Sequence, residues 1–333
     1  MTQNVQLTKP EVDVKKLEFE TVNCPLCSSP DNSYETGPIC DGPSHNLSEP
    51  YRSTFFRLNR CNSCRVIYQR ERLSSAEMDR LYDPDEYMCY QSFMQRGFII
   101  RQLAMFSARK LVKEIESFRP TNNKLFVDYG CGSGSWLELF KLVNAPWDMM
   151  GTEISPSIIE HLTKQGFKGA VCTDEQINDI FRPGEVGVFY MHHVIEHLPS
   201  PLLTLDRLKK ALCPGGIIVG QTPDADCLER RIFKDSWTQW HLPHHLTVFD
   251  KKSLALLAQK AGFELVLLKS SPSAATQWSL SILNSWAKKS GRTFRWNGEP
   301  LHKYLTLLFS PVSVIQSKVH NTSHVDFILK KKD

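Results

Sequence analysis

A chain of 333 residues exceeds what one compact core usually needs, so one large domain with a smaller appended unit is expected. Its 41% hydrophobic and 23% charged residues are typical of a soluble globular protein, and no apolar run suggests a membrane-spanning helix. The N-terminal residues have neither the apolar stretch nor the cleavage site of a secretion signal, so a cytoplasmic location is expected.

The net charge of +4 is concentrated towards the C-terminus, where residues 286–333 contain nine Lys/Arg and three Asp/Glu. An anionic acceptor or partner would explain this basic surplus, and so would a solvated basic tail.

In chain order, residues 1–22 are expected to form a loose arm, and residues 23–70 a small module rich in Cys, Pro, Ser, Gly and Asn. The module has little apolar periodicity, which indicates that a metal rather than a hydrophobic core holds it together. Two C-x-x-C pairs supply the four thiolates of a tetrahedral Zn²⁺ site, which has no open coordination position and is therefore predicted to be structural. The predicted ligands are Cys24, Cys27, Cys61 and Cys64.

Redox-active thiols and coincidental spacing are the alternatives, since the 33 residues between the pairs exceed the gap of about 15–20 that is usual in zinc ribbons. Ten cysteines in a reducing compartment nevertheless favour metal ligands or buried thiols over disulfides. Cys40 and His45 lie between the pairs and could replace one ligand.

Residues 71–123 are predicted to form a helical bridge and lid between the module and the rest of the chain. Apolar residues recur at helical spacing from Gln95 to Phe118, and Pro120 ends that helix. A shorter helix is predicted in the segment LSSAEMDRLY.

Residues 124–333 alternate short apolar runs with amphipathic stretches, which indicates a parallel α/β domain. The predicted strands are LFVDY, DMMGTE, GAVC, VGVFY, GIIVGQ, FELVLLK and VDFILK. The predicted helices are Ser135–Leu142, Pro156–Gln165, Pro201–Leu212 and Lys251–Ala261. Residues 270–324 separate the last two strands and are predicted to be an insertion with helices at Trp278–Lys288 and Leu301–Phe309.

The strongest local signal is the segment LFVDYGCGSGSWLELF. A strand ends near Asp128, and a helix begins near Ser135. The turn between them contains Gly130, Gly132 and Gly134. Glycines let the backbone take positive φ and approach a ligand closely, and the helix N-terminus offers N–H groups. Such a turn can cradle a nucleoside-like cofactor.

The acidic residue before this turn distinguishes two classes of cofactor. A dinucleotide places its pyrophosphate at the helix N-terminus, where the carboxylate of Asp128 would repel it. S-adenosylmethionine carries an amino group and a sulfonium instead, and tolerates that carboxylate. The second strand ends at Glu153, which is placed to accept hydrogen bonds from both ribose hydroxyls. A capping or loop acid without a ligand is the alternative for both residues.

The order of the segments DYGCGSG, TE, HHVIEHL and LKKALCPGGIIVGQTP resembles the class I methyltransferase superfamily over residues 124–269. The resemblance implies a Rossmann-like α/β sheet of order 3-2-1-4-5-7-6 with strand 7 antiparallel, and S-adenosylmethionine as the cofactor. It also implies that the glycine turn lines the methionine end of the cofactor and that acids after the third strand approach the adenine. The implied cofactor-binding residues are Asp128, Gly130, Cys131, Gly132, Gly134, Glu153, Ile154, Asp174 and Glu175.

Together with the cysteine module, the chain also resembles a subgroup, the bacterial methyltransferases of sugar and secondary-metabolite pathways. In that subgroup a CPxC…CxxC module and a Tyr-containing segment similar to LYDPDEY precede the catalytic domain. The resemblance implies that Tyr82, Tyr87 or Tyr90 approaches the cofactor or substrate as a lid, and packing at the domain junction is the alternative.

Methyl transfer usually needs a base that takes a proton from the acceptor, and histidine suits this role near neutral pH. The segments HHVIEHL and WTQWHLPHHLTVFD follow the fourth and fifth strands and supply candidates. The candidate catalytic residues are His192, His193, His197, His244 and His245. A structural role is the alternative for each of them. Trp237, Trp240 and Phe249 are candidates for a substrate wall or for the core.

Three functions follow from these patterns. Methyl transfer to a small molecule is the leading one, and the subgroup resemblance favours a sugar or nucleotide-linked sugar. RNA methylation is the second, although Lys and Arg do not cluster with aromatic residues near the module as a nucleic-acid surface requires. A scaffold protein that binds the cofactor without catalysis is the third. The insertion 270–324 is predicted to shape the acceptor side or an oligomer interface rather than the cofactor site. Its apolar faces must be buried against the parent domain, another subunit or a membrane surface, and packing on the parent domain is the alternative to a role in recognition.

Overall fold

The structure, a computed structural model, describes residues 17–40, 47–81, 98–119, 123–291 and 300–332. Its strands in chain order are β1 (Phe19–Thr21), β2 (Asn32–Ile39), β3 (Phe56–Cys61), β4 (Ile67–Tyr68), β5 (Glu71–Leu73), β6 (Leu125–Tyr129), β7 (Asp148–Glu153), β8 (Lys168–Val171), β9 (Val186–His192), β10 (Leu212–Pro223), β11 (Thr247–Val248), β12 (Phe263–Ser270) and β13 (His324–Lys331). Its α-helices are α1 (Ser75–Leu81), α2 (Phe98–Phe118), α3 (Ser135–Leu142), α4 (Pro156–Lys164), α5 (Ile177–Ile180), α6 (Pro201–Ala211), α7 (Leu228–Phe233), α8 (Lys251–Lys260), α9 (Ala275–Ser290) and α10 (Pro300–Val319).

Seven strands form one sheet in the order β12-β13-β10-β9-β6-β7-β8. The pairs from β10 to β8 are parallel, and β13 runs antiparallel to both β10 and β12. Counted along the chain within this sheet, the order is 3-2-1-4-5-7-6, so the predicted topology is confirmed. All seven predicted strands are present, and β6 and β7 have the predicted bounds.

Helices cover both faces of this sheet, and alternate residues of its strands point into two apolar layers. Phe126 packs in one layer with Leu137 and Phe140 of α3. Its neighbour Val127 packs in the other layer with Leu205 of α6. Because both faces are covered, the central strand β9 is a continuous buried run rather than an alternating one. Because β6, β7, β9 and β10 are parallel, their carboxyl ends meet at one edge of the sheet.

The N-terminal module contains more sheet and more core than its sequence predicts. Strands β2, β3 and β4 form an antiparallel sheet that β11, from the second half of the chain, completes. Leu58 and Ile67 of the module share one apolar cluster with Trp237, Trp240 and Val248. The expectation of a module without a hydrophobic core is therefore wrong, because six of the fourteen buried residues of that cluster come from the distant segment 225–248.

The predicted arm is ordered at its end, where β1 pairs with β5. Residues 1–16, His45 and the three candidate lid tyrosines (Tyr82, Tyr87 and Tyr90) lie outside the described residues.

The insertion 270–324 contains the two predicted helices, both longer than predicted. The inner sides of its two helices pack on each other, and α9 also packs on the parent domain. Trp278 of α9 stacks on Phe309 of α10 with ring centroids 5.1 Å apart, and the Thr238 amide donates to Ser281 Oγ at 3.2 Å. Packing of the insertion on the parent domain, the alternative to a role in recognition, is thus present along α9.

The outer side of α10 exposes a row of large apolar residues. They are Leu301, Tyr304, Leu307, Leu308, Ile315 and Val319. A second subunit or a membrane surface as the partner of this row stays a prediction. Within the described part of the chain, no helix has the length and apolar character needed to cross a membrane.

We expect the module and the large domain to unfold together, because they share one core. Leu58→Ala removes a fully buried side chain and should lower the free energy of unfolding by about 2–5 kcal/mol. Urea unfolding followed by tryptophan fluorescence and by far-ultraviolet circular dichroism should give one coincident, shifted transition. Phe55→Ala, at an exposed position in the same module, is the matched control and should change little. A separate early transition of the module alone would contradict the shared core.

Candidate functional site

The glycine turn between β6 and α3 has a backbone that only glycine adopts easily. Gly130, Gly132 and Gly134 have φ of 72°, 50° and 74°. A Cβ on Gly130 would lie 2.8 Å from the Val194 side chain, and one on Gly134 would lie 2.5 Å from Leu162. The turn is therefore packed tightly against Val194 and Leu162.

Asp128, at the end of β6, is a buried carboxyl group beneath this turn. Burial and the neighbouring charge of Glu153 raise the pKa of Asp128 to about 8. Its Oδ2 atom has no hydrogen-bond partner among the described residues. A buried acceptor without a partner is costly, so this carboxyl group is suited to a ligand that brings a donor or a positive charge.

Glu153 ends β7 beside the same turn. Its Oε1 accepts from the Gly132 amide at 3.3 Å, and its Oε2 accepts from the Ile154 amide at 2.7 Å. Burial raises the pKa of Glu153, although these amides favour the ionised form. The structure thus brings Asp128 and Glu153 together beside the same glycine turn. Each carboxylate oxygen has a second lone pair, so ribose hydroxyls can still donate to Glu153.

Two other predicted cofactor contacts have different surroundings. Cys131 is buried, and its Sγ lies under Gly151 of β7, so only its backbone borders the turn. Ile154 is 43% exposed, which suits an apolar contact with a flat ring. The backbone of Cys131 is further held by a bond of its amide to the Thr152 carbonyl at 2.9 Å.

The acids after β8 are less available to a ligand. The Asp174 carboxylate accepts hydrogen bonds from the Tyr129 and Thr204 hydroxyls. Glu175 is exposed and lies 3.9 Å from Arg207. An adenine contact by Asp174 would have to compete with two hydroxyls that already hold it.

The two predicted histidine segments meet at the same edge of the sheet. His197 Nδ1 donates to the His244 carbonyl at 3.0 Å, and the rings of His197 and His245 lie 4.8 Å apart. His192 lies against Trp136 of α3, with ring centroids 4.9 Å apart. The structure thus brings all five candidate histidines into one cluster, although they come from two loops.

Glu196 is the centre of this cluster, and the sequence-based candidate list omits it. Its carboxylate is fully buried. Oε1 lies 2.9 Å from His193 Nδ1, and Oε2 accepts from the Thr222 hydroxyl at 2.8 Å. Burial opposes ionisation, but the hydrogen bond and charge of His193, then the charges of His245 and His197, outweigh it and lower the pKa of Glu196. The sequence signal that could have identified Glu196 is a single acidic residue inside the apolar segment VIEHL.

The candidate bases differ in their surroundings. Desolvation lowers the pKa of His192 and of His245 to about 3, and it also lowers the pKa of His197. So weak a base removes a proton poorly near neutral pH. The His193 side chain is 26% exposed, and Glu196 orients its ring. His244 is buried and offers its carbonyl rather than its ring to His197.

His324, at the start of β13, also belongs to the cluster and is absent from the sequence-based candidates. Its ring lies 4.7 Å from that of His193, and its Nδ1 lies 3.4 Å from Ser273 Oγ. Only the antiparallel return of β13 beside β10 brings this residue to the cluster.

The aromatic residues of the second histidine segment are core residues. Trp237, Trp240 and Phe249 are at most 1% exposed, so they do not line a substrate wall. The Trp237 indole donates to Ser323 Oγ at 3.0 Å. Their role is to join the module to the large domain.

The four predicted thiol ligands converge within the module. The Sγ atoms of Cys24 and Cys64 lie 3.4 Å apart, and those of Cys27 and Cys61 lie 3.5 Å apart. All four sulfur atoms lie within 4.8 Å of one another. Such a group of thiols is suited to one tetrahedral metal ion.

Each C-x-x-C pair ends in the same backbone turn. Ser28 and Arg65, the residues directly after the second cysteine of each pair, have φ of 59° and 69°. Burial opposes ionisation of Cys61, but backbone amides of Cys64 and Ser63 and the thiol of Cys27 outweigh it and lower its pKa to about 7. Cys40 lies apart from the four, with its Sγ 3.1 Å from the Arg52 carbonyl oxygen.

Comparison with known proteins identifies the class to which this fold and site belong. A methyltransferase domain family matches residues 92–268, which is more than half of the chain. The chain therefore belongs to this methyltransferase family.

Solved structures to which the chain is similar include methyltransferases of low sequence identity. One is a putative sarcosine dimethylglycine methyltransferase from Galdieria sulphuraria, with 10% identity, a TM-score of 0.46 and coverage of 70% of this chain and 88% of that chain. A second is an S-adenosylmethionine-dependent methyltransferase from Archaeoglobus fulgidus, with 15% identity, a TM-score of 0.45 and coverage of 69% and 94%. A third is phosphoethanolamine N-methyltransferase 2 from Haemonchus contortus, with 16% identity, a TM-score of 0.44 and coverage of 67% and 53%.

We expect Asp128→Asn to stabilise the cofactor-free protein in a pH-dependent way. In the unfolded chain Asp128 ionises near pH 3.9, whereas its pKa in the folded chain is about 8. The unfolded state therefore releases this proton first, and the wild type loses stability as the pH rises from about 4 to about 8, by at most about 1.4 kcal/mol per pH unit. The asparagine variant lacks this loss, so its advantage should grow over that range.

Urea unfolding at pH 5, 6.5 and 8 without cofactor measures this difference. Asp148→Asn, at an exposed carboxylate that begins β7, is the matched control and should follow the wild type at every pH. Parallel pH dependences of Asp128→Asn and the wild type would show that Asp128 ionises normally in the folded chain.

Proposed function

We propose that this protein transfers a methyl group from S-adenosylmethionine to a small molecule, with a sugar or nucleotide-linked sugar as the favoured acceptor. The observation that carries the proposal is the buried Oδ2 of Asp128, which has no hydrogen-bond partner among the described residues. It lies beneath a turn of three positive-φ glycines, with Glu153 beside it. This arrangement supplies what the amino group, sulfonium and ribose of the cofactor need.

In this proposal Asp128 and the backbone of the glycine turn bind the methionine end of the cofactor, and Glu153 binds the ribose. Ile154 packs against the adenine. Asp174 and Glu175 border the adenine end of the cofactor. Asp174 contributes there mainly by holding the Tyr129 and Thr204 hydroxyls in place. The Gly130 turn touches Val194, which follows His193 directly, so the methyl donor and the histidine cluster are adjacent.

His193 is the proposed base. Its Nδ1 donates to the buried Glu196 carboxylate, so Nε2 carries the lone pair that accepts a proton, and the ring is partly exposed. Glu196 then acts as a positioning residue that also stabilises the protonated ring. His192, His197, His244 and His245 hold the cluster together.

A small acceptor suits the enclosure of this site. Glu196, His245 and His324 are at most 4% exposed, and a folded RNA could not present a nucleotide to so enclosed a cluster without extruding it. The subgroup resemblance of the cysteine module and the motifs that follow it supports a sugar. RNA and a scaffold role without turnover remain the alternatives that the experiment distinguishes.

The test is transfer of a labelled methyl group to a panel of nucleotide sugars, lipids and RNA, together with calorimetry of cofactor binding. Glu153→Ala should weaken cofactor binding about tenfold to a hundredfold, because it loses one or two hydrogen bonds to a charged group. Glu160→Ala, at an exposed site on α4, is the matched control. His193→Gln should keep cofactor affinity and lose turnover.

The outcomes separate the alternatives. Transfer to RNA alone would overturn the small-molecule acceptor, and cofactor binding without transfer to any acceptor would favour the scaffold. Unchanged cofactor affinity in Glu153→Ala would overturn the ribose assignment.

We also propose that Cys24, Cys27, Cys61 and Cys64 bind one structural Zn²⁺ ion. The convergence of the four sulfur atoms and the matching turns of the two pairs support it. Four thiolates close the coordination sphere, so this ion stabilises the module and leaves no position for a substrate.

Cys24→Ser/Cys61→Ser should lose this zinc equivalent and destabilise the whole protein, because the module shares its core with the large domain. Cobalt substitution checks it, since thiolate-to-cobalt charge transfer marks sulfur ligation. Cys40→Ser, in the same module, should keep the charge-transfer band. If the double variant retained this band, Cys24 and Cys61 would not be ligands of the metal ion.

A further inference from the structure

Glu196, His197 and His245 place three potential ligand atoms close together at the edge of the sheet. The ligand atoms of these residues all lie within 4.8 Å of one another. His245 Nε2 lies 3.9 Å from Glu196 Oε1. Ligand atoms about 2.1 Å from one ion lie at most about 4.2 Å apart. Small rotations of these side chains would bring the three ligand atoms within that distance of one another.

Both imidazoles are held in the tautomer that metal ligation requires. His197 Nδ1 donates to the His244 carbonyl at 3.0 Å, and His245 Nδ1 donates to the Gln239 carbonyl at 2.8 Å. A carbonyl can only accept, so the proton of each neutral ring is on Nδ1 and the lone pair is on Nε2. Ligating histidines are oriented by outer hydrogen bonds of this kind.

The carboxylate is held in the same manner. His193 Nδ1 and the Thr222 hydroxyl bind one oxygen each of Glu196, at 2.9 and 2.8 Å. A role as counter-ion of His193 explains these two contacts. It does not explain why two further rings, from different loops, are fixed by carbonyls beside the same carboxylate.

We propose that Glu196, His197 and His245 bind one divalent transition-metal ion, at a second site separate from the four thiols. Two imidazoles and one carboxylate suit Zn²⁺, Fe²⁺, Mn²⁺ or Co²⁺ rather than Ca²⁺ or Mg²⁺, which prefer oxygen ligands alone. Three protein ligands leave coordination positions open, in contrast to the closed four-thiolate site.

The position of this site gives it a role that rests on the proposed function. The side chain of Val194, the residue directly after His193, packs against Gly130 of the glycine turn. An acceptor hydroxyl bound to the ion would therefore lie on the side of the cluster that meets the cofactor turn. A bound ion would lower the pKa of that hydroxyl, and the His193 ring would take its proton. An electron pair of the oxygen forms the new C–O bond, while the S–CH₃ bond breaks and its pair stays on sulfur. The metal site itself does not depend on this step.

The test is metal stoichiometry of the full chain, stripped of metal and reloaded with Zn²⁺ alone or Co²⁺ alone. The wild type should bind two ions, and Glu196→Gln and His245→Gln should bind one, with the thiolate-to-cobalt band unchanged. The visible cobalt bands of a nitrogen and oxygen site should disappear in these two variants. Thr222→Val, which removes only an outer contact, should weaken the second site about tenfold to a hundredfold.

His241→Gln is the matched control, because His241 lies in the same loop as His245 but outside the three ligands, and it should keep two ions. If the buried Glu196 or His245 variant fails to fold, His197→Gln replaces it, since His197 is less buried. One ion per wild-type chain, or two ions in folded ligand variants, would overturn the proposal. Stoichiometry is measured without an acceptor, so an inactive chain that binds two ions would reject the proposed function and keep the metal site.

Discussion

The buried carboxylate of Glu196 is the interaction on which the arrangement of the site depends. A charge without solvent must be compensated by the protein, and here the compensation comes from several segments. His193 lies in the same loop, Thr222 is on β10, and His245 belongs to the segment that leads into β11. The Leu246 amide also donates to the Glu196 carbonyl at 2.9 Å. Through these contacts one acidic residue positions both histidine loops.

The same contacts extend to the module. Gln69 donates through Nε2 to the carbonyls of Pro243 and His245, at 2.7 and 2.9 Å, and β11 adds its edge to β4. The cysteine module is therefore connected to the histidine cluster by backbone pairing, by hydrogen bonds and by a common apolar core. A structural ion in the module would stabilise loops that are already attached to the large domain, and its loss would reach the site through this connection.

Asp128 and Glu196 show how burial alone does not determine the charge of a carboxyl group. Both are buried at the same edge of the sheet, yet the pKa of Asp128 is raised and that of Glu196 is lowered. Glu196 has hydrogen-bond donors and histidines around it. Asp128 has a neighbouring carboxylate and an oxygen for which the described part of the chain offers no hydrogen-bond partner. Carboxyl groups whose environments shift their pKa values in opposite directions are typical of sites in which the two groups have different roles. Here Asp128 is suited to binding a ligand, and Glu196 orients the His193 ring.

The resemblance to the class I methyltransferases implied the strand order. The sequence by itself determined the strands of the sheet, the glycine turn, Asp128, Glu153 and the four thiols. These features depend on local spacing, since a strand, a turn and a helix that follow one another need no distant partner to be recognised. Only the tertiary structure decided that Trp237 and Trp240 complete the core of the module, because their partners lie far away in the chain. It likewise decided that Glu196, His245 and His324 meet, since this requires two loops and an antiparallel strand to converge at one edge of the sheet.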